Sequence, residues 1–172
     1  TLYRGRWQER YQRWRANQQR SRKAPYAAQW RCLDAVHHRC VLEHNEEKRN
    51  RVNTSEEDPM LALLHAPPGH GKSQLIECLR SYSETVWDWE HGAQYVILAP
   101  MNTMANNVGG ETMHAWGEIP FCMEGKHVGH RSQSAAVDLS TMYLKCEALR
   151  WLIIDEVENA GAEVLAVLEM HV

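Results

Sequence analysis

The stretch LLHAPPGHGKSQL, residues 63–75, decides the fold expected for this chain. Its centre has the spacing of a phosphate-binding loop, A-x-x-x-x-G-K-S, with alanine in the position usually held by glycine. Small residues let the backbone curl so that its N–H groups point at phosphates, and the following helix presents its positive end to them. The pattern predicts a nucleotide site formed by Ala66, Pro67, Pro68, Gly69, His70, Gly71, Lys72 and Ser73.

Four side chains are assigned catalytic or metal-binding roles. Lys72 is expected to reach the β- and γ-phosphates, and Ser73 to offer its hydroxyl to Mg²⁺. Such a loop needs an acid at the end of a neighbouring strand, and WLIIDE, residues 151–156, places Asp155 and Glu156 after four apolar residues. We expect Asp155 to hold Mg²⁺, directly or through water, and Glu156 to align and deprotonate the attacking water.

Strand-like and helix-like segments alternate after Pro59. Apolar runs predict strands at residues 60–65, 95–99 and 151–154, and helical periodicity predicts helices at 73–83, 136–149 and 160–171. This alternation indicates an α/β fold with a mostly parallel sheet covered by helices on both faces.

Residues 1–24 form a basic, aromatic N-terminal arm. Residues 1–23 hold eight Lys and Arg against Glu9 alone, a net charge of +7, whereas the rest of the chain carries −10. The rings of Tyr3, Trp7, Tyr11 and Trp14 share one face if the arm is helical. Two interpretations are open: a surface helix, linker end or transit-like segment, or nucleic-acid contact through arginines and stacking rings.

The pattern of residues 25–59 predicts one long helix followed by a polar loop. The helix begins after Pro25 and runs to about residue 50, and residues 45–59 lack apolar periodicity. His37, Cys40 and His44 share a helical face and are metal-compatible residue types. No fourth ligand is identifiable, so a structural metal is not predicted.

The segment APMNTMANNVGGETMH, residues 99–114, resembles the PIF-type DNA helicases of superfamily 1, relatives of RecD and of the helicase domain of Helitron transposons. That family has a segment close to A-P-T-G-x-A-A-x-x-I-G-G-x-T-I-H, in register without a gap. The resemblance includes LIIDEV, residues 152–157, and covers roughly residues 25–172. This chain departs from the family at Met101 and Asn102, which replace Thr-Gly, and at Glu158 and Asn159, where Ser-Met is usual.

The resemblance implies a P-loop NTPase: the first RecA-like ATPase domain, at residues 60–172, preceded by N-terminal helices and truncated at its C-terminus. It implies ATP and Mg²⁺ as cofactors and an enzyme that hydrolyses ATP to move 5′ to 3′ on single-stranded DNA and unwind duplex DNA, with roles in DNA repair, recombination and telomere or genome maintenance. Gln29 would read the adenine in a Q-type motif, a plain surface glutamine being the alternative. The residues implied to contact DNA are Asn102, Thr103, Thr112, His114 and Trp116, and packing at a loop–helix junction is the alternative for the last two.

Composition limits the cellular location expected for the chain. Its longest apolar runs fall far short of the ~20 residues that cross a bilayer, so no membrane partner is expected. Five scattered cysteines without a C-x-x-C pair argue against a disulfide framework and for an intracellular protein, nuclear or mitochondrial if eukaryotic.

The chain starts at Thr1, and seventeen residues follow Asp155. That length cannot hold the second RecA-like domain whose arginines approach the γ-phosphate. We therefore expect a fragment whose partner is the missing C-terminal domain, and which alone binds nucleotide weakly and hydrolyses it negligibly. Two alternatives are a non-catalytic ATP- or DNA-binding remnant of a Helitron-like transposon, and another P-loop ATPase, such as an AAA-type ATPase or a nucleotide kinase.

Overall fold

The computed structural model describes residues 6–49, 60–119 and 139–172. The chain divides into two compact units, Thr1–Tyr82 and Ser83–Val172. Within the described ranges the fold is α/β: helices predominate, and the strands form one three-stranded parallel sheet. No helix in these ranges is long and apolar enough to span a membrane.

Three helices make up the described part of the first unit. They are α1, Arg6–Arg20, α2, Ala27–Arg49, and α3, Lys72–Tyr82. Pro25 precedes α2 and Gly71 precedes α3, in keeping with the preference of these residues for positions outside a helix interior. The predictions of a long helix after Pro25 and of a helix after the loop are therefore confirmed, each to within a few residues.

The rings of α1 pack inside the first unit. Trp14 is 2% exposed, and its indole Nε1 donates to Ser81 Oγ at 3.1 Å. Tyr11 stacks on His37 with ring centroids 3.6 Å apart, and the His37 Nδ1 atom lies 2.8 Å from the hydroxyl of Tyr82. The arm is thus a packed helix, and the idea that Tyr11 and Trp14 stack on nucleic-acid bases is wrong because these rings are buried. Tyr3 lies outside the described residues.

The strand predicted at residues 60–65 is not formed. These residues have no regular secondary structure, and the side chains of Leu61 and Leu63 are 93% and 81% exposed. An apolar run becomes a strand only when a neighbouring strand satisfies its backbone N–H and C=O groups. The apolar pattern indicates strand propensity, but in the described part of the chain no neighbouring strand pairs with this segment.

The second unit contains the sheet and four helices among its described residues. A π-helical turn, Ser83–Trp87, precedes the first strand. The remaining elements are, in chain order, β1 Tyr95–Ala99, α4 Asn102–Val108, β2 Glu111–Thr112, α5 Met113–Trp116, α6 Leu139–Glu147, β3 Trp151–Ile154, the 3₁₀ turn Val157–Asn159 and α7 Ala162–His171. The strands predicted at 95–99 and 151–154 are confirmed, as is the helix predicted at 160–171. Of the helix predicted at 136–149, residues 136–138 lie outside the described ranges.

Strand β1 lies at the centre of the sheet, in the order β2-β1-β3, and both neighbours run parallel to it. All five residues of β1 are fully buried. Because successive side chains of a strand point to opposite faces, both faces of β1 are covered, as expected for a parallel sheet. Apolar residues of β1, α5, α6 and α7, together with Ile119 after the end of α5, form the core of this unit: Val96, Leu98, Met113, Trp116, Ile119, Met142, Val167 and Leu168.

Candidate functional site

The predicted phosphate loop forms a tight curl before helix α3. Gly69 and Gly71 have φ angles of +79° and +77°, which lie in the left-handed region that side chains with a Cβ avoid. The backbone N–H of His70 donates to the carbonyl of Pro67 at 3.3 Å, which closes a turn. The two glycines of the motif therefore stand where the backbone needs them.

Helix α3 begins at Lys72, immediately after this curl. The first backbone N–H groups of a helix lack intrahelical acceptors and lie at the positive end of its dipole, which makes such a terminus suited to anions. The Nζ atom of Lys72 lies 3.3 Å from the carbonyl oxygen of Ala66, to which it donates across the loop. Ser73, in the first turn, is exposed. The loop thus brings a cation, a hydroxyl and backbone donors together.

Gln29 joins helix α2 to the loop. Its side-chain carbonyl accepts from the backbone N–H of Tyr26 at 3.1 Å, and its Nε2 donates to the carbonyl of Gly71 at 2.9 Å. Only 3% of Gln29 is exposed, so the alternative of a plain surface glutamine is wrong. The observed contacts make Gln29 a residue that holds the loop; its role in reading adenine stays a prediction.

Sequence reasoning missed two further residues that fix the loop. The Tyr26 hydroxyl donates to the carbonyl of His70, and Gln74 Nε2 donates to the carbonyl of Lys23 at 2.7 Å. Only the bond between Gln29 and the Tyr26 N–H had a signal in the sequence: Gln29 stands three residues after Tyr26 at the start of a helix, the spacing at which a glutamine bonds back to the N-cap N–H.

The carboxyl ends of the strands gather the other predicted residues. Ala99 at the end of β1 is paired with Thr112 of β2, and Leu98 is paired with Ile154 of β3. Asp155 therefore lies level with Ala99, and its backbone N–H donates to the Leu98 carbonyl at 2.9 Å. With strands spaced about 4.8 Å apart, Thr112 and Asp155 flank Ala99 at one edge of the sheet, as the sequence predicts.

Asp155 and Glu156 differ in their surroundings. Asp155 is 9% exposed, whereas Glu156 is half-buried and adopts a φ angle of +50°. A left-handed conformation is uncommon for a residue with a side chain, and it turns the chain sharply at the end of β3. Glu156 thus ends β3 and leads directly into the 3₁₀ turn Val157–Asn159.

Three of the residues implied to contact DNA border the same edge. Asn102 and Thr103 are exposed in the first turn of α4, which follows β1. Thr112 caps α5, because its hydroxyl accepts from the backbone N–H of Ala115 at 3.1 Å. The Thr112 hydroxyl therefore has a structural task, and the other two remain available to a ligand.

The other two residues implied to contact DNA are placed as the packing alternative describes. Trp116 is 3% exposed and belongs to the core of the second unit. The Nδ1 atom of His114, which is half-buried, lies 2.9 Å from the carbonyl of Ile119. Trp116 accordingly has no exposed ring face on which a base could stack.

The Gly109-Gly110 pair stands at two backbone positions that only glycine occupies without strain. Gly109 ends α4 with a φ angle of +60°. A Cβ atom on Gly110 would lie 2.3 Å from the carbonyl oxygen of Ile97, closer than any side chain permits. The pair therefore allows the chain to pass directly against β1.

The helical face containing His37, Cys40 and His44 does not gather into a metal site. His37 is engaged with Tyr11 and Tyr82, and Cys40 is buried. Within residues 6–49, 60–119 and 139–172, no group of three or more His, Cys, Asp or Glu side chains is arranged to hold a metal ion.

Comparisons with known proteins add no family to this description. No protein-family model matches the chain, and neither a curated protein nor a solved structure is significantly similar to it.

Proposed function

We propose that this chain is the ATP-binding domain of a PIF-type, superfamily 1 DNA helicase, which hydrolyses ATP to translocate on DNA and unwind it. One observation carries the proposal: a loop of the right sequence curls through two left-handed glycines into the N-terminus of α3, with Lys72 at its first position. This arrangement supplies what a polyphosphate needs, namely backbone donors, a helix dipole and an ammonium group.

In this proposal the first turn of α3 and the Lys72 ammonium bind the β- and γ-phosphates. Phosphate binding would replace the present contact of Lys72 with the Ala66 carbonyl. Ser73 would offer its exposed hydroxyl to Mg²⁺, and the metal would neutralise charge on the phosphates. Gln29 and Tyr26 would keep the loop curled before nucleotide arrives, so that little ordering cost accompanies binding.

The roles proposed for the two acidic residues come from the resemblance to the helicase family. Asp155, level with the carboxyl end of β1, would bind Mg²⁺, and Glu156 would orient and deprotonate water. The exposed Asn102 and Thr103 would hold phosphates of a single strand at the carboxyl edge of the sheet. Action in DNA repair, recombination or telomere maintenance, inside the cell, belongs to the same proposal.

The nucleotide site is tested by titrating the chain with Mg²⁺-ATP. Lys72→Ala should weaken binding at least about tenfold, since it removes a charge-assisted contact of about 1.5–3 kcal/mol. Lys23→Ala is the matched control, because it removes an exposed lysine whose side chain is not part of the motif. Equal affinity of Lys72→Ala and the parent chain would refute the site.

A second candidate is a nucleotide-binding module that does not hydrolyse ATP. It is favoured by residues 60–65, which form no strand in front of the loop, although a strand is the usual support of a phosphate loop. Single-turnover ATP hydrolysis, measured with the chain in excess over ATP and with single-stranded DNA present, separates the two candidates because it detects even the negligible rate expected of this chain alone. A helicase domain would show a slow, DNA-stimulated rate that Glu156→Gln abolishes while ATP binding is kept, whereas a binding module would show no rate above background.

A further inference from the structure

Four arginines form a straight row on helix α1. Arg6, Arg10, Arg13 and Arg20 follow one another at intervals of four, three and seven residues, and Asn17 occupies the intervening position. Residues three, four or seven apart lie on the same side of an α-helix. With a rise of about 1.5 Å per residue, the row is about 21 Å long.

This row is separate from the face by which α1 packs. The packing face carries Trp14 and Tyr11, both buried, and it also carries Arg15, which pairs with Asp34 of α2. Since 100° separates successive residues, the arginine row is rotated by about 100° from Trp7, Tyr11 and Trp14. The buried rings fix the helix in place and leave Arg6, Arg13 and Arg20 exposed, whereas the Nε atom of Arg10 is buried.

The surface around the row is basic and polar. Arg6, Arg13 and Arg20 are exposed and Arg10 is half-buried; exposed Arg22 and Lys23 extend the positive charge beyond the helix end. Glu9 is the sole acidic residue of α1. The other exposed residues of the helix are Gln8, Gln12, Asn17 and Gln19, which can donate hydrogen bonds to phosphate oxygens.

We propose that this arginine row binds the phosphate backbone of duplex DNA. Guanidinium groups bind phosphate with paired hydrogen bonds, and each strand of a duplex carries one phosphate per about 3.4 Å of helix axis. The 21 Å row therefore spans the axial length of about six base pairs. The site lies apart from the phosphate loop, and it requires neither ATP nor the proposed helicase activity.

Three other partners fit the surface less well: a membrane, a protein and single-stranded nucleic acid. A membrane helix inserts apolar side chains, and a protein interface has an apolar centre, whereas every exposed residue of α1 is polar. Binding of a single strand relies on aromatic rings that stack on its bases. In α1 the Tyr11 and Trp14 rings are buried and the half-buried Trp7 ring contacts His37 and His44, so contact through phosphates predominates, and duplex DNA has the higher phosphate density.

The test measures binding of the whole chain to a fluorescent duplex of about 20 base pairs while salt is raised from about 50 to 200 mM. Four phosphate contacts give a slope of log K against log salt of about −3.6. The double variant Arg13→Gln/Arg20→Gln should halve this slope to about −1.8 and weaken binding at low salt at least about tenfold. Arg13→Lys/Arg20→Lys should keep most of the slope, because an ammonium group still contacts phosphate as a point charge.

The matched control is Arg39→Gln/Arg150→Gln, which changes the net charge equally but removes arginines outside the row. It should bind like the parent chain; an equal loss in control and row variants would mean that net charge alone acts, and would overturn the proposal. Tighter binding to the single strand, to phosphatidylserine vesicles or to polyglutamate than to the duplex would overturn it as well. Circular dichroism establishes that every variant stays helical. Lys72→Ala should leave duplex binding unchanged, and this result would show that the arginine row acts independently of the nucleotide site.

Discussion

The side chain of Gln29 is joined to the backbone of Gly71 by a 2.9 Å hydrogen bond, so that helix α2 holds the phosphate loop from 42 residues away in the sequence. The same amide caps its own helix through the N–H of Tyr26. One buried side chain thus links the start of α2 to the start of α3. The loop conformation therefore depends on residues that no loop motif contains.

Replacing Gln29 by alanine should loosen the loop and destabilise the first unit. The change leaves the N–H of Tyr26 and the carbonyl of Gly71 without this partner, at a cost of about 1–3 kcal/mol. Urea unfolding measures the loss, and a Mg²⁺-ATP titration should show weaker binding. Gln12→Ala, an exposed glutamine on α1, serves as control and should change stability by less than about 0.5 kcal/mol. Unchanged stability of the Gln29 variant would contradict the linking role.

Alanine substitutions at the two loop glycines, Gly69 and Gly71, can be compared directly. Alanine at either position takes on the strain of a left-handed backbone, about 1–2 kcal/mol. At Gly71 the new Cβ would also lie 2.8 Å from Gln29 Nε2, whereas nothing lies within 4 Å of it at Gly69. Gly71→Ala should therefore cost more stability than Gly69→Ala in the same urea assay. Combining each substitution with Gln29→Ala should remove the difference; if it persists, the contact with Gln29 is not its cause.

Trp14 should contribute more to stability than any exposed residue of α1. It is 2% exposed and meets the rings of Tyr82 and Trp30 edge to face, with centroids 5.3 and 6.0 Å away. Truncation to alanine should cost about 3–5 kcal/mol. Trp14→Phe keeps an aromatic ring in the core but removes the hydrogen bond to Ser81. Loss of that hydrogen bond should cost about 1 kcal/mol. Thermal unfolding measures both; a cost for Trp14→Ala below about 1 kcal/mol would mean that α1 is not packed as described.

Stability should fall as the pH drops below about 6.5, because of His37. Burial among Tyr11, Tyr82 and the α2 backbone lowers the pKa of His37 below its ordinary value of 6.5, as do Arg15 and His38, while Asp34 opposes them. The unfolded chain then binds the proton more readily than the folded chain, so acidification favours unfolding.

Urea-unfolding free energies between pH 7 and pH 5 test this expectation. The decline should be shallower in His37→Gln than in the parent chain. His65→Gln is the control, since His65 is exposed and is not among the groups that shift the pKa of His37, and it should retain the parent's decline. Identical pH profiles for the parent and His37→Gln would show that His37 does not titrate as inferred.

Gly110→Ala should destabilise the second unit. The added methyl group would meet the carbonyl of Ile97 at 2.3 Å, and backbone atoms on both sides must move to admit it. Overpacking of this kind costs about 1–3 kcal/mol or more. Gly161→Ala is the control, because its nearest neighbour is a Val164 methyl group at 4.0 Å. Equal melting temperatures for the two variants would show that the approach to β1 is looser than described.

Patterns that depend on neighbours in the sequence predicted this structure well. The fully apolar run Tyr95–Ala99 became the central strand. The spacing of Trp7, Tyr11 and Trp14 predicted a shared helical face, but not that Tyr11 and Trp14 are buried. Contacts that depend on tertiary packing were beyond the sequence. Nothing in the motif reveals that Gln29 bonds to Gly71, and an apolar run such as residues 60–65 does not state whether a partner strand is present.

The three exposed leucines of that run, Leu61, Leu63 and Leu64, have a consequence for the behaviour of the chain in solution. A short extended segment with apolar side chains and an unpaired backbone is a template for pairing with a second molecule. Self-association that grows with concentration should begin at this segment. Charged substitutions at Leu61 and Leu63 are therefore the first changes to make when the chain is concentrated for crystallisation or spectroscopy.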